Sequence, residues 1–151
     1  MKSINKCLIE KNLQLMGKMM KQVIWLLSAL TIAMSPTLVK AEDILRGGQL
    51  IETGSFIGQG GHTVSGEFQI IKKGEIHYLV LQDNFKFDGA PDPKIGFSRN
   101  DEFSEDSLFS GLNLDQGKQI YRLPFDFDPD QYDEVTLWCD KFNADLAEAK
   151  Y

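Results

Sequence analysis

YDEVTLWCDKFNADLAEAKY, residues 132–151, sets Val135, Leu137 and Cys139 in alternation with Thr136, Trp138 and Asp140. A period of two carried by β-branched and aromatic residues predicts a strand with one face turned to a core. Cys139 shares the face of Val135 and Leu137. Beyond it, Asn143–Ala149 reads equally as a short helix or as a final strand.

Outward from this stretch the pattern stays β-like. Gln119–Leu123 is strand-like and closed by Pro124, and an acidic, turn-rich loop follows over 126–133. Upstream, a first strand is expected around 49–57, then the turn Gly58-Gln59-Gly60-Gly61. In HTVSGEFQII, His62, Val64, Gly66, Phe68 and Ile70 share one face and Thr63, Ser65, Glu67 and Gln69 the other. This alternation places His62 on the apolar side at the mouth of a strand. Lys72-Lys73-Gly74 turns into Ile76–Leu81, a hairpin. Pro91 and Pro93 argue against a central strand in Asp88–Pro93, and Lys94–Arg99 is strand-compatible with Ile95 and Phe97 inward. Residues 100–118 are polar and acidic and read as a long surface connection with room for a short strand at Leu112–Leu114. The expected fold is all-β, a single-domain antiparallel β-sandwich of about seven to nine short strands.

The chain has 151 residues, room for one domain. Lys18 and Lys21 precede the apolar run Val23–Met34, and Val39-Lys40-Ala41 supplies small residues at a cut. That order predicts a signal peptide over 1–41, with 1–15 a possible start-site extension, and a domain over 42–151. The apolar run is shorter than the ~20 residues of a membrane span, so no stable span is expected after cleavage and the domain is expected to be secreted or periplasmic. Residues 42–151 carry ten Lys and Arg against twenty-one Asp and Glu, a net charge of −11. Nucleic acid is an unsuitable partner, because no basic stripe is left to displace phosphate counterions. Cations or a basic protein would be attracted. Cleavage removes Cys7 and leaves Cys139 as a lone thiol.

Gly54-Ser55-Phe56, His62 with Val64-Ser65-Gly66, Phe85 with Gly89-Ala90-Pro91-Asp92, Ile95–Ser98, Gln119–Pro124, and Tyr132 through Val135–Cys139 to Phe142 follow one another in a particular order and spacing. In this the chain resembles the DM-thirteen domain family, also called the electron-transfer DM domain. The resemblance implies a small extracytoplasmic β-rich domain with a signature cysteine. It implies a redox-associated or electron-transfer accessory role with a redox partner protein. In that role the thiol acts bare or as ligand to a prosthetic group such as haem. The loop after Ser98 is the part least like the family pattern.

Each candidate residue has a structural reading beside the functional one. Cys139 is a redox thiol or thiolate ligand, or else a buried structural cysteine. Lys141, two residues on along the same face, would favour its thiolate. His62 is its proton partner or co-ligand, or else a core-edge histidine bonded to backbone. By parity both point into the space between the sheets and form one site. His77 reads as a surface or second-layer residue. Residues 42–151 lack methionine and the whole chain lacks Cys-x-x-Cys-His, so His/Met ligation and covalent haem attachment are excluded and His–Cys or His–His pairs remain. Asp126, Asp128 and Asp130 are spaced for calcium but lack the loop frame of a helix–loop–helix site, and a solvated turn is the plainer reading. The alternative function is a non-catalytic secreted binding or adhesion module in which Cys139 is purely structural.

Overall fold

The computed structural model describes residues 45–151, so the predicted signal peptide lies outside the described residues. These form twelve strands: β1 (Gln49–Ser55), β2 (Ile57–Gly58), β3 (Val64–Ser65), β4 (Glu67–Lys73), β5 (Ile76–Leu81), β6 (Lys86–Phe87), β7 (Pro93–Arg99), β8 (Glu102–Phe103), β9 (Ser110–Gly111), β10 (Gln119–Arg122), β11 (Glu134–Cys139) and β12 (Ala144–Lys150). One antiparallel sheet has the order β1-β4-β5-β10, and a second runs β2-β12-β11-β7-β8, with β9 also on β7. β3 and β6 make a two-stranded ribbon. Among the described residues no helix is long and apolar enough to cross a membrane.

The fold is the expected all-β antiparallel sandwich. Phe68, Ile70, Leu79 and Leu81 of the first sheet meet Ile95, Phe97, Val135, Leu137 and Ala147 of the second in one core. The stretch 144–150 resolves as a strand, paired with β11 from Ala144↔Cys139 to Lys150↔Glu134. Pro93 begins β7 itself, where a missing N–H costs least.

Two expectations need correction. Residues 100–118 are more than a surface connection. They contain β8, a 3-10 turn over Glu105–Ser107 and β9, and no strand forms at Leu112–Leu114. This excursion folds back over the outer face of the second sheet. Trp138 stacks on Phe103 with ring centroids 4.0 Å apart, and Ser107 Oγ donates to the Phe97 carbonyl at 2.9 Å. Hence Thr136 and Glu134, on the face opposite Val135 and Leu137, are as buried as they are, and Thr136 satisfies its hydroxyl against Ser98 Oγ at 2.5 Å. Lys141 is the second correction. β11 ends at Cys139, and Lys141 lies exposed in the turn to β12, its ammonium over the Phe142 ring.

Candidate functional site

Cys139 ends β11, paired with Pro93 of β7 and Ala144 of β12. It is 2 % exposed, and its thiol donates to the Pro91 carbonyl at 3.1 Å. The next residue repeats the tie, Asp140 N–H donating to the Asp92 carbonyl at 3.2 Å. Pro91 and Asp92 are themselves exposed. The sulfur therefore lies one layer under the surface, beneath the loop of residues 88–92. Asp92 adopts φ +55° and Gly89 φ +94°, the left-handed region that lets so short a loop turn back on itself.

His62 lies in the turn between β2 and β3 rather than on a strand. The alternation read from His62 to Ile70 holds for Val64, Phe68 and Ile70, all buried. It is interrupted at Gly66, which has φ +110° and where a β-carbon would run into the Phe85 backbone. That break separates β3 from β4, and His62, which precedes β3, lies at the rim with its side chain 30 % exposed. The ring lies 5.9 Å from that of Phe87, and its Nδ1–H donates to Asp88 Oδ1 at 3.0 Å. Gly58 is needed beneath it, since a β-carbon there would meet the His62 carbonyl.

Asp88 and Pro91 are the two ends of one short loop. At one end Asp88 accepts from Thr63 N–H at 2.7 Å as well as from His62, and these bonds, the Thr63 one foremost, hold its carboxyl below its usual range. At the other end Pro91 and Asp92 accept from Cys139 and Asp140. The two residues singled out by the sequence are thus joined through residues 88–92, each bonded to a different end. The residue that sequence reading missed is Asp88; the only signal for it is its place beside the left-handed Gly89.

His77 pairs with Lys72 across the hairpin and packs edge-on to Phe127 at 5.5 Å. Partial burial, then the neighbouring Lys72 charge, lower its pKa from 6.5, so its stabilising contribution as a neutral ring is present above pH 6.5 and lost as pH falls through the lowered value. Proton NMR titration of the His77 ring is expected to place its midpoint below 6.5. Among the acidic candidates, Asp128 caps the 3-10 turn Pro129–Gln131 by accepting from Asp130 N–H and Gln131 Nε2.

Haem ligation by Cys139 does not fit this arrangement. The sulfur is sealed and its proton is committed to Pro91. The cleft between Phe97, Asp106 and Tyr132 and the shallow one beside Lys86 and Leu114 are lined by neither Cys139 nor His62.

These features define a small antiparallel sandwich in which Cys139, the one cysteine among the described residues, is held under a surface loop. Residues 55–151 match the family described as Electron transfer DM13, and the chain belongs to that family. No curated protein and no solved structure matches the chain.

Proposed function

We propose that the chain is an extracytoplasmic redox module centred on Cys139, with loop 88–92 as the cover that governs access to it. Its family is an electron-transfer family, and a redox role is the coarse expectation. The observation that carries the finer reading is the thiol bonded at 3.1 Å to the backbone of an exposed loop, whose other end is held by His62 and Thr63 through Asp88. When the cover lifts, the Cys139 thiolate attacks one sulfur of a partner protein's disulfide. A mixed disulfide forms and the partner's other sulfur leaves as thiolate. An acidic surface steers partners of basic character to it.

The second reading, a binding or adhesion module, is favoured by the burial of Cys139 alone, since sealed cysteines are commonly structural. Asp88→Asn separates the two. In a Cys7→Ser background Cys139 is the only thiol. If the loop is the cover, Asp88→Asn weakens the His62 and Thr63 bonds and raises the thiol-labelling rate several-fold, about 1 kcal/mol of loop opening, without lowering the melting temperature by more than a few degrees. An unchanged labelling rate would leave Cys139 structural.

A further inference from the structure

The second sheet carries a group of carboxylates that does not include Asp126, Asp128 or Asp130. Glu134, the first residue of β11, is 1 % exposed. It pairs with Lys150 of β12, and Glu148 lies next along the same face of β12, opposite Thr136. Asp101 reaches the group from the β7–β8 turn, where Asn100 and Asp101 both adopt positive φ. One carboxylate oxygen from each of Asp101, Glu134 and Glu148 lies within 4.8 Å of the others.

The Lys150 ammonium bonds two members of this group, holding Asp101 Oδ1 at 2.5 Å and Glu134 Oε1 at 3.2 Å, while Glu148 Oε2 accepts from the neutral Gln59 Nε2 at 3.2 Å. Glu134 Oε1 also accepts from Asp101 N–H at 3.2 Å. Glu134 Oε2 is buried and has no hydrogen-bond partner. A buried, unpaired carboxylate oxygen is costly, and three carboxylates against one ammonium leave the group short of positive charge.

We propose that Asp101, Glu134 and Glu148 form a calcium site in which the Lys150 ammonium is the stand-in cation. An all-oxygen donor set without imidazole or thiolate suits a hard cation. The oxygens span no more than the ~5 Å across a calcium shell, and a set drawn from two strands and a turn meets calcium's tolerance of irregular geometry better than magnesium's octahedral demand. Lys150 and Asp101 have side chains 63 % and 66 % exposed, so the ammonium swings into solvent as the ion enters. Glu134 then offers both oxygens, Oε2 gaining the partner it lacks.

Calorimetric titration of the full chain with calcium chloride tests this. One ion per chain is expected, in the ~0.1–1 mM range of extracellular modules, with a melting temperature that rises on saturation. Asp101→Asn and Glu148→Gln, which alter the less buried ligands, are expected to weaken binding ~10-fold or more, and Lys150→Gln to tighten it, because ligand charge sets affinity. Absence of binding in both the wild type and Lys150→Gln would overturn the proposal. So would calcium binding unaffected by Asp101→Asn and Glu148→Gln, which would place the ion elsewhere.

Discussion

Labelling of Cys139 in the folded chain, with Cys7 replaced by serine, is expected to run at least ~100-fold slower than in strong denaturant, since a sealed thiol reacts only through opened states. The sulfur is 2 % exposed and hydrogen-bonded to Pro91, so reagent reaches it only after the loop or the whole domain opens. Each factor of ten in protection corresponds to about 1.4 kcal/mol of opening free energy. Protection can therefore be compared with the global unfolding free energy measured by urea titration. Protection well below the global value would mark a local opening, as the proposed cover requires. Protection equal to it would mean that the thiol is reached only by unfolding, and a native rate within about threefold of the denatured one would contradict the buried position outright.

Phe97→Ala is expected to cost ~3–5 kcal/mol, the range for emptying a fully buried aromatic site. Phe97 is 1 % exposed and its ring meets Phe127 at 4.7 Å, Tyr132 at 5.1 Å and Phe109 at 5.7 Å. Two further segments thus converge on this residue of β7: the 100–118 excursion through Phe109 and the acidic loop through Phe127 and Tyr132. For a domain near 100 residues that cost lowers the melting temperature by roughly 15–30 °C, read by circular dichroism on heating. The contrast with Asp88→Asn is informative. Phe97→Ala should expose Cys139 by populating the unfolded chain, in proportion to lost stability. Asp88→Asn should expose it with stability nearly intact. A Phe97→Ala melting temperature within ~5 °C of wild type would mean that the aromatic cluster does not hold the sandwich together as its packing implies.

The fold class was legible because strands write themselves as alternation: Val135, Leu137 and Cys139 are buried as their period predicts. The outer face of β11 was not legible in the same way. Thr136 and Glu134 look like solvent-facing positions, and only the return of residues 100–111 buries them. That segment's few apolar residues, Phe103, Leu108 and Phe109, are dispersed among charges, so no period betrays its packing. The placement of His62 failed to follow from parity because β3 begins only at Val64, so the alternation that Val64, Phe68 and Ile70 keep does not reach back to His62 in the preceding turn. The tie between His62 and Cys139 through residues 88–92 rests on two backbone carbonyls and one carboxylate, and backbone acceptors leave no signature in side-chain pattern. Glu134 shows the same limit: a glutamate opening a strand reads as a surface charge until the structure shows its Oε2 sealed without a partner.

The order of strands in the second sheet fixes an order in time. β12, made last of the twelve, lies between β2 and β11, and Tyr151 beyond it packs against Phe68 of the first sheet at 5.9 Å. While the chain is still emerging from the ribosome, the β4–β5 hairpin can form but β2 has no strand to join. Completion must wait for synthesis to pass Lys150, after which a pairing spanning some ninety residues has to be found, a non-local search of the kind that slows β-sandwich folding to milliseconds or seconds. The nascent domain therefore remains incomplete and open to chaperones until β12 has been made.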